Sequence, residues 1–287
     1  MRIAVIADIH ANLVALRTIL EDVEHWQPDQ VVIAGDIINR GPRPAECWKI
    51  VQEKVHKVGW LLVRGNHEDY VLSHDEPDAP RSGPWFEVNR ASYWTYSQLN
   101  GEVTELRAMP SHQSLVDPDG NELLFYHGSI LGIRDGIYPE TDDSALRKKI
   151  GLDQRAPKSP PLALFCVGHT HRALTRRLDG VLVVNAGSAG LPFDRDARCA
   201  YARLTWSRQY WKAEIVRLKY DRAQAARDFE LSGYLEGGGP LARLVLHELQ
   251  CACSHLYTWA LHYQERALQG EISVAESVQR HLAYYAP

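Results

Sequence analysis

Short apolar runs, many of them β-branched, recur along the first two-thirds of the chain, at residues 3–7, 31–34, 60–63, 123–126, 162–167 and 181–184. Each is too short for a helix and is followed by a loop with polar residues, the pattern of strands covered on both faces. Between the first two runs Leu13, Leu16, Leu20 and Val23 recur at helical spacing, with Glu21, Asp22 and Glu24 on the other side. Between the second and third, Ala45, Trp48, Ile50, Val51 and Val55 do the same after Pro44, a residue suited to the first turn of a helix. Strand, helix, strand, helix, strand predicts an α/β fold. Further on, 200–206 and 211–218 read as paired strands around Ser207-Arg208-Gln209, so the later sheet is antiparallel or mixed.

Other stretches break the alternation. Residues 73–110 hold Pro77, Pro80 and Pro84, then a helix signal over 85–106 that carries Trp85, Phe86, Tyr93, Trp94 and Tyr96. This reads as an insertion that could cap a site, its aromatics forming its own core rather than a stacking platform. Residues 156–161 form a turn or linker. From Asp221 the chain is helical, with a break at Gly237-Gly238-Gly239-Pro240. The expected organisation is a catalytic unit over 1–220 and a helical extension over 221–287.

Composition narrows the function classes. The 287 residues carry a net charge of −4, which gives no global field for duplex nucleic acid or an anionic membrane. Phosphate chemistry therefore needs a local positive site. No run approaches the roughly 18 apolar residues of a membrane helix, and Asp8 interrupts the first run too early for a signal-peptide core. The five cysteines are sparse, odd in number and without framework spacing, which points to a reducing, cytoplasmic setting. Against them stand 13 histidines.

The placement of those histidines is the informative feature. The first strand is followed by Asp8 and His10, the second by Asp36, the third by Asn66 and His67, the fourth by His127, the fifth by His169 and His171. Functional groups of open α/β sheets gather beyond the carboxyl ends of the strands. A turn aspartate or a loop histidine is ordinary taken singly; five successive strands ending in metal-capable side chains are not. Two carboxylates, one amide oxygen and four imidazoles exceed one tetrahedral zinc site and suit two divalent ions about 3.5–4 Å apart. Two ions bring +4 and the carboxylates −2, leaving +2 for a phosphate oxyanion and a hydroxide.

Asp8-Ile9-His10, Gly35-Asp36-Ile37-Ile38-Asn39-Arg40-Gly41, Gly65-Asn66-His67-Glu68, His127-Gly128 and Gly168-His169-Thr170-His171, in this order, resemble the signature of the calcineurin-like metallophosphoesterases over roughly residues 1–220. The resemblance implies two mixed β-sheets packed as a sandwich and flanked by helices, with a dinuclear site at the strand ends. It implies that Asp8, His10, Asp36 and His171 hold one ion and that Asp36, Asn66, His127 and His169 hold the other, Asp36 bridging. A bridging hydroxide would attack phosphorus, Asn66 and His67 would contact the phosphate, and His67 would protonate the leaving oxygen.

Arg40 falls where the phosphoprotein phosphatases of this superfamily carry a phosphate-binding arginine; as a loop charge it is equally well solvated. Asn39 stands where those phosphatases have an aspartate that charges the acid histidine, which argues against a protein substrate. The run from Asn185 to Pro192 is similar to one in small prokaryotic phosphodiesterases and diadenosine tetraphosphate hydrolases, and Asn185 could fix His171. The substrate expected is thus a phosphodiester or dinucleoside polyphosphate. The alternatives are a phosphomonoester or phosphoprotein, or a low-activity metal-bound regulatory module, which the intact His67 disfavours. Mn²⁺ is the favoured metal of an N/O set that also accepts Fe, Zn²⁺ or Ni²⁺. The terminal helices could support a homo-oligomer. His247, Cys251, His255 and His262 form a stripe on one face of an expected helix; thiol and imidazole could bind zinc or copper there, but a partly buried flank of the helix's apolar face is the better explanation of the stripe.

Overall fold

The computed structural model describes residues 1–285. Ten strands form two five-stranded sheets. They are β1 (Arg2–Ile6), β2 (Gln30–Ile33), β3 (Leu61–Leu62), β4 (His112–Val116), β5 (Glu122–Tyr126), β6 (Leu162–Val167), β7 (Leu174–Leu178), β8 (Val181–Asn185), β9 (Cys199–Ser207) and β10 (Tyr210–Leu218). The first sheet has the order β10-β9-β1-β2-β3 and the second β4-β5-β6-β8-β7. In the first, β1-β2-β3 run parallel up to the β3 edge and β9-β10 are antiparallel on the other side; in the second, a parallel centre β5-β6-β8 carries antiparallel edges β4 and β7. All six apolar runs are strands, within two residues at each end. The hairpin joining β9 to β10 turns on Arg208 and Gln209 alone, both at positive φ, the geometry of a two-residue turn that matches strand twist.

Period-two alternation divides each central strand between two cores. Ile3, Val5 and Ala7 point at Leu123, Phe125, Leu164 and Cys166 of the other sheet, forming the layer between the sheets. Ala4 and Ile6 face Leu16, Ile19, Trp48 and Val51 of α1 (Leu13–Trp26) and α2 (Pro44–Val58). On the far face of the second sheet, Phe165, Val167 and Val183 meet Leu146 and Ile150 at α6 (Asp143–Lys149). Each such buried side chain contributes roughly 1.5–3 kcal/mol, and together they hold the two parallel centres side by side with their carboxyl ends at one rim. Two strands escaped the sequence reading: β4 and β7 alternate exposed and half-buried residues, so neither shows an apolar run.

The helix expected over 85–106 is broken. α3 (Asn66–Leu72) precedes it; α4 (Gly83–Gln98) and a single turn, α5 (Thr104–Arg107), are separated by a loop in which Asn100 and Gly101 take positive φ. Phe86, Tyr93 and Tyr96 pack on one another, but Trp94 is buried against Tyr234 and Tyr96 also meets the core under α1 and α2, so the aromatics are shared with neighbouring cores instead of forming one of the segment's own. After Asp221 follow α7 (Arg222–Leu231), α8 (Tyr234–Gly237), α9 (Ala242–Cys251), α10 (Leu256–Trp259), α11 (Glu265–Leu268) and α12 (Val274–Tyr285). Phe229, Tyr234, Val245 and Leu249 clamp this helical stretch onto Trp94 and Leu191. One cysteine expectation needs correcting: Cys47, Cys166 and Cys199 are free and buried, but Cys251 and Cys253 are joined as a disulfide across a tight turn. Spacing gave no hint of it, because a chain reversal and not a framework brings the pair together.

Candidate metal centre

Asp8 lies two residues past β1, Asp36 three past β2, His127 directly after β5, and His169 and His171 just past β6, while Asn66 and His67 open α3. Because β1, β2 and β3 are parallel neighbours, as are β5 and β6, these ends converge at one rim. The backbone there is held away from ordinary conformations. Asp8, His10, Asp36, His169 and His171 all have φ between 48° and 68°. Non-glycine residues resist that region at about 1–3 kcal/mol each, and such strain persists only where neighbours over-determine it. Here the bonds Asp8 N–H to Gly35 O (3.1 Å), His10 N–H to Asp36 O (3.0 Å) and Gly168 N–H to His127 O (3.0 Å) do so. Gly35 is required: its φ is +88°, and a Cβ there would sit 2.7 Å from Gly65 N and from His127 Nδ1.

The side chains gather in two groups that share Asp36. Asp8, His10, Asp36 and His171 present one ligand atom each within 4.8 Å of one another, all buried; Asp36, His127 and His169 do likewise. Asn66 Oδ1 lies 3.1 Å from His127 Nε2 and so belongs to the second group. Asp36 Oδ2 is 3.3 Å from His127 Nε2, 3.7 Å from His10 Nε2 and 4.0 Å from His67 Nε2. All seven residues expected as ligands are therefore at one place.

Tautomers follow from what each outer ring nitrogen faces. His10 Nδ1 meets Asn39 O (2.8 Å), His127 Nδ1 meets Ala34 O (2.8 Å), His171 Nδ1 meets Leu191 O, and His169 Nε2 meets Arg134 O (3.1 Å). A carbonyl can only accept, so each of those nitrogens carries the proton. The opposite nitrogen is left with its lone pair turned inward, as metal-binding imidazoles require. His67 is wired the other way. Arg40 N–H donates to Asn39 Oδ1 (2.9 Å), which orients the amide so that Asn39 Nδ2 donates to His67 Nδ1 (3.0 Å). Nε2 of His67 then holds the proton and points toward Asp36.

Charges in this buried cluster polarise one another strongly. Burial penalises the imidazolium of His127, yet in the metal-free chain Asp36 outweighs it and pushes His127 up to about 10, so Nε2 there carries a proton that a bound ion would displace to reach the lone pair. Burial brings His10 down to about 3 and His169 to about 4. Burial likewise opposes ionisation of Asp36 and Asp8, but their histidine neighbours, His127 for Asp36 and His171 for Asp8, hold both carboxyls below the usual range. His67 is driven well below 6.5, chiefly by burial.

Two observations test whether the residues fit divalent ions. Asp8 Oδ1 is buried without a hydrogen-bond partner, and His10 Nε2 faces His171 Nε2 at 3.0 Å although both outer nitrogens carry their protons. Inward lone pairs and an unpaired carboxylate oxygen are what a cation neutralises, so the donor set fits.

Several contributors went unread in the sequence. Glu68 is fully buried and accepts three backbone N–H groups: Asp36 (2.9 Å) and Gly65 (2.8 Å) on Oε2, Ile37 (2.7 Å) on Oε1. Burial and the nearby Asp36 push its carboxyl up to about 7 against those donors. The local signal was a capping-box glutamate three residues after Gly65. Ser188 donates to Asp8 O (2.7 Å). Asn185 acts differently from expectation: its amide bonds Gly168 O (2.7 Å) and Thr170 Oγ1 (2.9 Å), so it ties down the loop bearing His169 and His171 and leaves His171 to Leu191. Around the centre opens a cavity of about 730 Å³. Arg40, Arg134 and Arg172 line it, with an apolar and aromatic wall from Tyr70, Phe193, Leu241, Val245, Tyr257 and Trp259. α4 and the helices after Asp221 supply much of that wall, a contribution from distant sequence that no local pattern announces. None of Trp85, Phe86, Tyr93, Trp94 or Tyr96 lines it.

Sheets of this order with shared-carboxylate ligand groups at the strand ends define a class of enzyme, the metal-dependent phosphoesterases. The chain belongs to the calcineurin-like phosphoesterase superfamily, whose domain model matches residues 1–209. Among sequence relatives, the uncharacterised protein MJ0912 of Methanocaldococcus jannaschii is 26% identical over 244 residues, 78% of this chain and 89% of that one. The phosphodiesterase YfcE of Escherichia coli K12 is 33% identical over 99 residues, 31% of this chain and half of that protein. A crystal structure of a metallophosphoesterase from Sphaerobacter thermophilus superposes with a TM-score of 0.66 at 27% identity, over 88% of this chain and 99% of its own. Protein PH1004 of Pyrococcus horikoshii shares the fold, with a TM-score of 0.72 at 20% identity over 88% of this chain and 99% of that one. Among the described residues no helix is long and apolar enough to cross a membrane.

Proposed function

We propose that the chain is a dinuclear phosphodiesterase whose substrate carries an apolar or aromatic group beside the scissile phosphate, a nucleotide-like diester or dinucleoside polyphosphate. The observation that carries this reading is the pair of ligand groups meeting at Asp36. Asp8, His10, Asp36 and His171 would hold one ion, and Asp36, Asn66, His127 and His169 the other. The ions, with Mn²⁺ the favoured pair, supply Lewis acidity and a water of lowered pKa.

The chain's own residues do the rest. Backbone carbonyls lock the four ligand imidazoles in the binding tautomer, so ring orientation is set before substrate arrives. His67 Nε2–H, directed by Asn39, aims at the rim shared with Asp36 and is placed to donate to a phosphoryl or leaving oxygen. Arg40 flanks the same rim, and Arg134 and Arg172 add positive charge further along the cavity. Arg172 is already paired with Glu140, and Arg134 stacks on Tyr70 at 5.0 Å, which leaves Arg40 as the cation best suited to the phosphate. The cavity volume lies within the range of small-molecule sites and exceeds what a bare phosphate fills. Asn39 orients His67 without the negative charge that a carboxylate would lend its imidazolium, which suits diesters and anhydrides whose leaving groups need less help from an acid.

The test is hydrolysis with Mn²⁺ of bis-p-nitrophenyl phosphate, p-nitrophenyl phosphate and diadenosine tetraphosphate, by wild type and Asp36→Asn. Diester or tetraphosphate turnover at least tenfold above the monoester, abolished by Asp36→Asn, is the expected result. A monoester preference overturns the substrate assignment, and full activity of Asp36→Asn overturns the site.

A further inference from the structure

About the turn between α9 and α10, four thiol and imidazole side chains converge outside the centre just described. The stripe expected on one continuous helix does not exist as such. α9 ends at Cys251, Ala252 takes a left-handed conformation (φ 50°), and the chain reverses before α10 starts at Leu256. The reversal brings His255 back over α9, its ring 4.5 Å from that of His247. His247, Cys251 and His255 present ligand atoms within 4.8 Å of one another, and Cys253 Sγ lies 3.5 Å from His255 Nε2 and bonds to Cys251 Sγ. His262, the fourth member of the expected stripe, is not in the group.

We propose that His247, Cys251, Cys253 and His255 bind one thiophilic divalent ion of the zinc class when the two cysteines are reduced. Two sulfurs and two imidazole nitrogens are a tetrahedral zinc donor set, whose ligand atoms stand about 3.3–3.8 Å apart at Zn–N and Zn–S bonds of 2.0–2.3 Å. His247, Cys251 and His255 are already within 4.8 Å of one another, and opening the disulfide frees Cys253 Sγ, 3.5 Å from His255 Nε2, to complete the set. The turn is built in advance: the buried Glu248 accepts His255 N–H and Leu256 N–H on Oε1, each at 2.7 Å, and Ala252 O accepts Arg195 N–H at 2.9 Å. His255 Nδ1 faces His281 Nε2 at 3.2 Å; with the proton on Nδ1, its Nε2 lone pair points at the sulfurs. His247 and Cys251 are half-buried, which leaves the ion a way in.

Ion and disulfide are alternatives. A thiol reductant gives two electrons and two protons to open the Cys251–Cys253 bond, and the ion then displaces both protons from the thiols as it binds. The loaded turn would brace the wall of the phosphoesterase cavity, since Ser254, Leu256 and Tyr257 directly beyond it line that cavity.

Cobalt(II) tests this on the full chain, because the dinuclear centre offers only nitrogen and oxygen donors and cannot give a thiolate-to-cobalt charge-transfer band. Reduced, metal-stripped protein titrated with Co²⁺ is expected to develop that band to the amplitude of one thiolate-bound ion per chain, with up to three ions bound in all, and to lose it on adding Zn²⁺. Cys251→Ser/Cys253→Ser, checked for folding by circular dichroism, is expected to bind one equivalent fewer and to lack the band. The disulfide form of wild type is expected to lack it too. Wild type with both thiols counted as free and still no band overturns the proposal, as does a band that survives in the double variant.

Discussion

Replacing Glu68 by glutamine probes how the centre is held together without touching a ligand. The carboxylate collects three backbone donors from two separate strand ends, Gly65 on one and Asp36 and Ile37 on the other. A glutamine oxygen can take the two donors at Oε2, but its NH₂ then faces Ile37 N–H at a site built for an acceptor. One buried N–H is left unpaired, about 1–3 kcal/mol, and two charge-assisted bonds become neutral ones, roughly 1 kcal/mol more together. The sum is about 2–4 kcal/mol, which for a chain of this size is a fall in melting temperature of roughly 3–7 °C. Activity should suffer more than stability. The lost anchor, Ile37 N–H, directly follows Asp36, and a shift of about 1 Å in a catalytic group lowers turnover on the order of 100-fold. Differential scanning fluorimetry and bis-p-nitrophenyl phosphate kinetics in saturating Mn²⁺ measure both. A Glu68→Gln enzyme melting within about 1 °C of wild type, well under the expected fall, and turning over at half its rate or better would refute the argument.

The same residue has a pH signature. Its folded pKa of about 7 stands above the ordinary carboxylate value of 4.5, so the metal-free folded chain binds the extra proton and loses stability as pH rises from about 4.5 to 7. The Glu68→Gln chain should lack that component when denaturant unfolding is compared at the two ends of the window. Asn39→Asp puts a carboxylate where an amide donates to His67; the imidazolium is stabilised, and the alkaline limb of the pH–rate profile should move to higher pH, most clearly with an alkoxide leaving group. An unmoved profile counts against His67 as proton donor. Gly35→Ala forces a Cβ against Gly65 N and His127 Nδ1 at positive φ, so weaker Mn²⁺ retention and a lower melting temperature are expected; a neutral outcome would mean the loop relaxes freely. Chelation with EDTA should lower the melting temperature of wild type and reverse on Mn²⁺ addition, each bound ion adding about 2.7 kcal/mol of stability at a hundredfold excess over its Kd.

Much of this protein was legible before any tertiary structure. Apolar runs bounded by polar loops mark the strands because a buried strand has no polar face to show, and α1 and α2 advertise themselves through helical spacing. Asp8, His10, Asp36, Asn66, His127, His169 and His171 were readable because the carboxyl end of a strand is a position countable along the chain. β4 and β7 were not readable, since edge strands half-exposed to water carry no apolar run. Tertiary structure alone decided which strand ends are neighbours, and hence that Asp36 is common to both ligand groups. It decided the tautomers as well: the carbonyls of Asn39, Ala34, Leu191 and Arg134 reach the rings from 20 to 93 residues away. Only chain reversal at Ala252 turns a helical stripe into a thiol-imidazole cluster and sets Tyr257 and Trp259 over a site built from the other end of the sequence. Local spacing encodes side-chain chemistry and period; contacts across long loops depend on how the two sheets pack, and no window of sequence contains that information.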